Sequence, residues 1–439
     1  MTEIKVAKFG GTSLANSNQF RKVGAVVEAD KDRRYVIVSA PGKGHSDENK
    51  VTDLLYLCHA HINYSVPFDQ VFDIISNRYL EIVNGLKIDL DIRVYLDEIK
   101  ESISKGVSVD YLVSRGEYLN ALIMAKFLNY DFIDAKEVIC FDKSGSLDMV
   151  RTEEVLSKRL SKHNRAVIPG FYGSTLDGKI KTFSRGGSDI TGAIVARVVQ
   201  AEVYENWTDV SGFLMTDPRI VENPRPIEKI TYRELRELSY MGASVLHEEA
   251  ILPVRNVDIP INIRNTNEPD NPGTMINSVD NRKNDNIITG IAGKRDFTVI
   301  AVHKNHMNSE VGFIRKILLI LEIHNITIEH VPSGIDTVSI VISNSQLDSK
   351  LGLIVEEIEK QCNPDSLNVY RNMALIATVG NNMAHTPGIA AKLFTALGNE
   401  GINIRMIDQG SSEINIITGV EDKDFEKAIK AIYNAFVGE

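Results

Sequence analysis

The sequence predicts an α/β protein with a mostly parallel sheet, followed by a pair of smaller α+β modules. Two observations carry this prediction. Through the first ~280 residues, short apolar runs alternate with helix-like stretches of ten or more residues, a pattern typical of a parallel sheet covered by helices on both faces. Beyond residue 300 the chain repeats, because 312–340 and 388–416 align without gaps at an offset of 76 positions.

The elements of the first segment follow from local pattern. A short apolar strand at 4–9 ends at Gly10-Gly11, and 16–28 has the apolar spacing of a helix. A β-branched run at 35–39 precedes Pro41-Gly42 and predicts a second strand. The remaining predicted elements are a helix at 51–60, a helix at 111–128, a strand at 166–168 and a helix at 188–200.

The second segment consists of two related copies. Each copy contains a Met, a loop, a Gly, an amphipathic helix, a two-residue break and two strands, and Met307, Gly312 and Lys316 match their counterparts in one register. Two copies of this length do not form a solenoid, so they predict paired α+β modules. Pro-rich loops lie at 217–226 and 267–273, and the latter, with polar 277–286, is the candidate domain boundary.

Composition and charge argue against several classes of protein. With 49 basic and 59 acidic side chains, the net charge of −10 is unlike that of a nucleic-acid binder. The longest aliphatic run, 317–321, is far below the ~20 residues of a membrane span. Cys58, Cys140 and Cys362 form no disulfide framework, and the histidines offer no complete ligand set, so no metal site is predicted. The opening residues lack a signal-peptide pattern, so we expect a cytoplasmic protein.

A glycine turn occupies residues 8–13, with the sequence KFGGTS, where a strand ends and a helix is about to begin. Glycines let backbone N–H groups approach an anion, and the helix N-terminus and Lys8 add positive charge. The spacing fits neither a Walker loop nor a dinucleotide fingerprint. Phosphate binding and an ordinary strand–helix turn are both consistent with these residues.

This opening resembles that of the aspartokinases, which have the amino-acid kinase fold. Four further stretches follow in the family's order, and the duplicated segment resembles the paired ferredoxin-like ACT modules of the same enzymes. The matching stretches are VSRGE at 113–117, SRGGSDIT at 184–191, WTDVSG at 207–212 with TDPR at 216–219, and NPGT at 271–274. The resemblance implies a catalytic domain at 1–285, a first ACT domain at 286–370 and a second at 371–439.

The implied reaction transfers phosphate from ATP to the side-chain carboxylate of L-aspartate. The product would be 4-phospho-L-aspartate, the first intermediate of the lysine, threonine and methionine branch, and Mg²⁺ would be held mainly by ATP phosphates and water. An aspartate carboxylate, with a pKa near ~3.9, is already ionised at neutral pH. No general base is then required, and the enzyme's task is positioning and charge neutralisation.

The resemblance assigns catalytic roles to Lys8, which would stabilise charge on the transferred group, and to Asp189, which would orient Lys8. The alternative for Asp189 is a helix N-cap. Arg185 would bind the substrate's α-carboxylate through its planar fork, and Glu117 would face the ammonium group, the alternative being a solvated helix charge. The other implied substrate-binding residues are Ser39, Thr52, Gly186, Gly187 and Ser188.

The nucleotide side includes one departure from the family. Ser244 and Glu248 replace the usual lysine and proline of the stretch at 242–248, so we expect weaker ATP binding or a differently built phosphate pocket. Trp207 is interpreted as core packing rather than a stacking platform. The implied ATP-binding residues are Lys8, Gly10, Gly11, Thr12, Ser13, Thr208, Asp209, Leu214, Asp217 and Arg219.

The first ACT copy would bind an amino-acid effector, with a homodimer or dimer of dimers formed through these modules. Glu329 and Asp336 suit a side-chain ammonium, which favours lysine over threonine as feedback inhibitor, although both acids also fit solvated loop charges. The implied effector-binding residues are Met307, Gly312, Phe313, Thr327, Ile328, Glu329 and Asp336. Two other interpretations are another amino-acid carboxylate kinase of this fold and a catalytically weak amino-acid sensor.

Overall fold

The computed structural model describes residues 3–243, 246, 248–278 and 287–438. The helices are α1 (Ser17–Glu28), α2 (Val51–Asn63), α3 (Asp69–Leu86), α4 (Ile92–Ser104), α5 (Val109–Leu128), α6 (Ala135–Val138), α7 (Met149–Leu160), α8 (Gly187–Val198), α9 (Tyr232–Tyr240), α10 (Glu248–Arg255), α11 (Phe313–Ile323), α12 (Asn344–Leu347), α13 (Leu351–Cys362), α14 (Ile389–Asn399) and α15 (Phe425–Val437). The strands are β1 (Lys5–Phe9), β2 (Arg33–Val38), β3 (Asp131–Phe132), β4 (Cys140–Phe141), β5 (Ala166–Pro169), β6 (Tyr172–Thr175), β7 (Ile180–Thr182), β8 (Val203–Thr208), β9 (Phe213–Leu214), β10 (Pro226–Ile227), β11 (Lys229–Thr231), β12 (Ile261–Asn265), β13 (Thr274–Asn277), β14 (Gly290–His303), β15 (Thr337–Ser343), β16 (Ser366–Val379), β17 (Met406–Asp408) and β18 (Asn415–Glu421).

The chain forms two compact units. The first contains Met1–Phe213, Glu228–Tyr232 and Val245–Asp280, and the second contains the rest, including Leu214–Ile227 and Arg233–Ser244. None of the helices in the described ranges is long and apolar enough to cross a bilayer.

The first unit is built on an eight-stranded sheet in the order β11-β13-β12-β8-β1-β2-β5-β3. Neighbours from β12 to β3 are all parallel, and the sheet reverses direction only where β12 meets β13. A second, three-stranded sheet contains β4, β6 and β7. The prediction of a mostly parallel sheet is confirmed.

Both faces of the central strands are buried, as the apolar runs predict. Ala7 and Phe9 of β1 belong to one core with α1 to α5, whereas Val6 faces the opposite side and is equally buried. Helix α8 covers that second side, since a Cβ on Gly192 would lie 2.6 Å from the ring of Tyr204 in β8. Successive side chains of a strand point to opposite faces of the sheet, so Lys8, next to Phe9, lies on the face covered by α8.

The predicted elements have counterparts in the first unit. The three predicted strands correspond to β1, β2 and β5, and the four predicted helices to α1, α2, α5 and α8. Helices α3 and α4 were not predicted, although Phe72, Ile75 and Tyr79 are buried at helical spacing in α3. The loop at 267–273 joins β12 to β13 inside the eight-stranded sheet, and residues 279–286 lie outside the described ranges.

The second unit contains an antiparallel sheet in the order β15-β14-β16-β18-β17. Strand β14 serves both modules: its pairing with β16 is interrupted between Lys294 and Phe297, and only the part from Phe297 onward also pairs with β15. Gly293 belongs to the first part of β14. It packs against Phe425 of α15, because a Cβ on Gly293 would lie 2.6 Å from the Phe425 ring. The first part of β14 thus belongs to the sheet of the second module.

The repeat has a structural reason. Gly312 and Gly388 are the N-caps of α11 and α14 with φ of 82° and 92°, a left-handed conformation that favours glycine. Met307 and Met383 lie buried in equivalent short 3₁₀ turns. These matches confirm two α+β modules.

Candidate active site

The predicted site residues collect at one edge of the sheet. Lys8 lies at the end of β1, Ser39 follows β2, Gly170 follows β5, and Thr208 ends β8. These four strands are adjacent and parallel, so their carboxyl ends lie side by side. This edge is where open α/β sheets bind ligands.

A buried ion pair is the centre of this edge. The Lys8 Nζ lies 2.5 Å from Asp189 Oδ1 and 3.4 Å from the Oδ1 of Asn206, while Asn206 Nδ2 donates to Asp189 Oδ1 at 2.9 Å. Lys8 is only 7% exposed. An ammonium has three N–H donors, and within the described ranges Lys8 has no third acceptor, so one donor is available to a ligand.

Helix α8 presents Asp189 to Lys8. It begins at Gly187, its N-cap is Gly186 in the left-handed conformation (φ 55°), and no side chain caps it. The N-cap interpretation of Asp189 is therefore wrong: its carboxylate points to Lys8 from the first turn. Ser188 packs against Gly170, where a Cβ would lie 2.6 Å from the serine side chain.

The glycine turn is held by close backbone contacts. Gly42 N donates to Gly11 O at 2.8 Å, and a Cβ on Gly42 would lie 2.5 Å from the carbonyl carbon of Gly11. Gly10 is near the ammonium group, since its Cβ would lie 3.7 Å from Lys8 Nζ. Thr12 begins a short 3₁₀ helix, and the buried Ser13 hydroxyl bonds Thr266 Oγ1 at 2.8 Å.

Glu117 is a buried carboxylate on α5. It is 5% exposed, and its Oε2 has no hydrogen-bond partner. Burial raises its pKa to about 8, against a hydrogen bond from the Ala40 backbone that acts in the opposite direction. One turn further along α5, Asn120 Nδ2 donates to Ser39 O at 2.7 Å. The structure therefore supplies an unpaired acceptor beside the end of β2, and the solvated-charge interpretation of Glu117 is wrong.

Other predicted site residues make no contact with the ion pair. Arg185 is exposed and has no side-chain partner among the residues described. Thr52 lies in the first turn of α2, and Thr208 Oγ1 bonds the exposed Asp209 at 3.2 Å. Leu214, Asp217 and Arg219 belong to the second unit. There Arg219 donates to Asp217 through Nε and through its second terminal nitrogen.

Trp207 is a core residue, as predicted. It is 1% exposed, stacks on Phe9 with ring centroids 6.0 Å apart, and donates from Nε1 to Glu205 at 2.9 Å. Glu205 also accepts from Arg33 at 2.7 and 3.1 Å. Arg264 lies 3.8 Å from the same carboxylate. This buried network fixes β8 from the face opposite Lys8.

Comparison with known proteins agrees with this geometry. The amino acid kinase family model matches residues 3–265, and an ACT domain model matches 376–436. Aspartokinase 3 of Bacillus subtilis is 38% identical to this chain, over an alignment that covers 99% of this chain and 98% of the relative. The chain belongs to the aspartokinase family.

Solved aspartokinases share the whole architecture. The crystal structure of the Clostridium acetobutylicum aspartate kinase is 60% identical, with a TM-score of 0.92 over 99% of this chain and 100% of that one. Two structures of Escherichia coli aspartokinase III are 26% identical over 99% or more of both chains. One is a complex with aspartate and ADP (TM-score 0.73), the other with lysine and aspartate (TM-score 0.74). This chain is accordingly a phosphotransferase of the aspartate kinase type.

The predicted effector loops of this aspartokinase meet in the first ACT module. Asp336 Oδ1 accepts from the backbone N–H of His306 at 2.8 Å, and Asn308 N donates to Ile335 O at 3.1 Å. Met307 and Phe313 are buried, whereas Ile328 is exposed. Gln346 bonds Thr327 through its side chain.

Glu329 receives a contact that the sequence did not predict. The Tyr240 hydroxyl at the end of α9 donates to Glu329 Oε2 at 2.5 Å. Burial and this carboxylate raise the pKa of Tyr240 to about 12. Lys294 lies over the same ring at 5.0 Å. The effector loop is thus connected to α9.

Asn206 is the site residue that sequence reasoning missed. It is a polar residue inside the buried strand VYENWT, and a buried polar side chain in a central strand requires a partner. Ser244, which stands where the family usually has a lysine, lies outside the described residues.

Proposed function

We propose that this chain transfers the γ-phosphoryl group of MgATP to the side-chain carboxylate of L-aspartate, forming 4-phospho-L-aspartate and ADP. The observation that carries the proposal is the Lys8 ammonium, held by Asp189 at 2.5 Å at the carboxyl edge of the parallel strands. The E. coli relative that binds aspartate and ADP supports the choice of substrates.

The chemistry needs charge neutralisation rather than a base. The attacking carboxylate is ionised at neutral pH, and one of its oxygens bonds the γ-phosphorus as the bond to the ADP oxygen breaks. Negative charge accumulates on the transferred group and the leaving oxygen. Lys8 offers its free N–H donor to that charge, and Asp189 with Asn206 fixes the ammonium in advance, so little reorganisation is needed.

Two groups would orient the substrate. The unpaired Oε2 of Glu117 would accept from the aspartate ammonium, which would stabilise the ionised carboxylate. Arg185, exposed and without a side-chain partner in the described ranges, is free to bind the α-carboxylate through its fork. Ser39, Thr52 and Ser188 would complete this side of the site.

The nucleotide would lie along the glycine turn, with its phosphates near Gly10 and Gly11 and further contacts from Thr208 and Asp209. In the described part of the chain, no three His, Cys, Asp or Glu side chains are grouped to hold a metal ion. Mg²⁺ would arrive on ATP, bound by phosphates and water, as is usual for this small cation.

The test is ATP-dependent hydroxamate formation from L-aspartate in the presence of hydroxylamine, with glutamate as a second acceptor. We expect a product from aspartate alone and its loss in Lys8→Ala and Asp189→Ala. The matched control is Lys158→Ala, which removes an exposed lysine of the same unit. No product from either acceptor would reject the kinase proposal, and product from glutamate alone would reject aspartate as the acceptor.

We further propose lysine as the feedback inhibitor, bound at the first ACT module. Glu310 is neutralised by Lys304 and Lys316 at 3.0 and 2.9 Å, whereas neither Glu329 nor Asp336 forms an ion pair with a described residue. Two carboxylates without an ion-pair partner match the two ammonium groups of lysine. Threonine has only one such group.

The second module lacks this chemistry. The positions equivalent to Glu329 and Asp336 are Arg405 and Ser412, and Arg405 is paired with Glu421 at 3.1 Å. A lysine effector therefore favours the first module. Among the relatives, the E. coli complex with lysine and aspartate supports lysine as a ligand of this architecture.

We also propose that the ACT modules form the subunit interface of a homodimer or dimer of dimers. Val311 and Ile335 lie beside the effector loops, and their side chains are 98% and 70% exposed. Apolar side chains with this exposure in a single chain are typical of a subunit interface. Light scattering with and without lysine measures the subunit number, and a monomer under both conditions would contradict this proposal.

Titration of lysine and threonine in the kinase assay tests the effector. We expect inhibition by lysine, weakened at least about tenfold in Glu329→Gln, because a charge-assisted hydrogen bond is lost. Glu322→Gln, on the exposed face of α11 in the same module, should leave inhibition unchanged. Inhibition by threonine alone, or equal effects of both substitutions, would reject the assignment.

A further inference from the structure

A second cationic cavity lies in the first unit, between the first turns of α5 and the β6–β7 hairpin. Its volume is about 970 Å³, and its lining includes Tyr111, Arg115, Lys143 and Lys181. Neither Lys8 nor Asp189 lines it, and no role in the proposed reaction accounts for it.

The lining is positively charged in an acidic protein. Five cations, Arg115, Lys136, Lys143, Lys179 and Lys181, face two carboxylates, Asp110 and Asp177, although the whole chain carries −10. Three of the lysines are paired: Lys179 with Asp177 at 2.8 Å, Lys181 with Asp110 at 3.3 Å, and Lys136 with Asp134 at 3.5 Å. Lys143 and Arg115 form no ion pair within the described ranges.

Arg115 is the distinctive member of the lining because it is buried. It is 5% exposed, and its guanidinium lies 4.7, 4.5 and 5.3 Å from the rings of Tyr111, Tyr118 and Tyr172. It donates to the Ser114 hydroxyl at 2.9 and 3.2 Å and to Tyr111 O at 3.3 Å. No carboxylate accepts a hydrogen bond from it in the described structure.

A buried guanidinium without an anion is costly, because burial removes its hydration, and hydrogen bonds to a hydroxyl and a carbonyl replace that hydration only in part. The carboxylate on the same helix offers little compensation, since burial raises the pKa of Glu117 to about 8 and leaves it mostly neutral at pH 7. The planar fork, stacked on aromatic rings, is suited to a bidentate oxyanion. The exposed lysines supply point charges around the opening.

We propose that this cavity binds a small multivalent anion that carries phosphate groups, with Arg115 as the bidentate contact and the lysines at the rim. The volume of about 970 Å³ lies within the range of small-molecule sites. Inorganic pyrophosphate and a sugar phosphate share the required chemistry. The proposal is independent of the proposed function, since it concerns binding without turnover.

Calorimetric titration tests it, with pyrophosphate, ribose 5-phosphate and citrate as separate probes and saturating ADP present to occupy the nucleotide site. We expect one phosphate-bearing ion per chain, bound about tenfold more weakly by Lys143→Glu, because a charge-assisted contact is replaced by repulsion. Lys158→Glu, an equal change of charge on the exposed face of α7, should bind as wild type does.

The outcomes separate the alternatives. Tighter binding of pyrophosphate indicates an inorganic ligand, and tighter binding of ribose 5-phosphate indicates an organic one. Equal affinities in Lys143→Glu and Lys158→Glu, no binding of either phosphate at millimolar concentration, or tighter binding of citrate would overturn the proposal. Arg115→Lys provides a second variant that keeps the charge and removes the fork, and unchanged affinity in it would remove Arg115 from the site.

Discussion

Glu117 gives the sharpest test of the active-site geometry, through the substitution Glu117→Gln. Burial raises its pKa to about 8 from an ordinary 4.5. In the free enzyme it is then only about one-tenth ionised at pH 7 and about nine-tenths ionised at pH 9. If the ionised form binds the aspartate ammonium, the KM for aspartate falls about tenfold between pH 7 and pH 9 in the wild-type enzyme.

The free energy of unfolding of the ligand-free enzyme should fall as pH rises, whereas aspartate binding improves. Because the folded protein binds a proton at Glu117 that the unfolded chain has released, the wild-type enzyme loses stability as pH rises from 4.5 to about 8. The shift corresponds to at most about 5 kcal/mol of unfolding free energy. Glu117→Gln removes this loss, so the ligand-free variant is more stable than wild type at pH 8.5 and nearly equal at pH 4.5.

Initial-rate kinetics across pH 6.5 to 9 and thermal unfolding of the ligand-free protein are the two assays. Glu117→Gln should raise the KM for aspartate and abolish its pH dependence, while the KM for MgATP changes little. The exposed Glu28→Gln in α1 serves as the control. A KM for aspartate that stays constant with pH in wild type, or a variant less stable at pH 8.5, would refute the reasoning.

Three further predictions concern the surrounding structure. Lys8→Ala should lower kcat by ~10²–10³, because it removes a donor to the transferred group. Gly42→Ala should lower both unfolding temperature and kcat, since its Cβ would lie 2.5 Å from Gly11; Gly352→Ala, with nothing within 4 Å, is the control. Glu205→Gln should destabilise the fold by about 3–5 kcal/mol in urea unfolding, because it leaves the buried Arg33 and the partly buried Arg264 uncompensated; a loss below 1 kcal/mol would contradict that role.

Much of the fold is predictable from local sequence. The strand runs of β1, β2 and β5 and the helical spacing of α1, α2, α5 and α8 are local patterns, and neighbouring residues largely determine them. The repeat was equally visible, because Gly312 and its counterpart must adopt a left-handed backbone in each copy. Helix α3 carries the same kind of local signal, because Phe72, Ile75 and Tyr79 recur at helical spacing.

Part of the site was predictable for the same reason. Lys8 and Asp189 stand in short motifs at a strand end and a helix start, and the fold brings such termini to one edge of a parallel sheet. The capping alternative for Asp189 failed because Gly186 fills the cap and the helix begins one residue earlier than predicted.

The sequence by itself determined the family, the parallel sheet, the duplicated modules and the lysine–aspartate pair. Only the tertiary structure decided that Asn206 joins that pair, that Glu117 is buried without a partner, that Tyr240 bonds Glu329, and that Arg115 lines a second cavity. The physical reason is that strand and helix formation depend on neighbours in sequence. Desolvation and ion pairing depend on what packs against a side chain from distant parts of the chain.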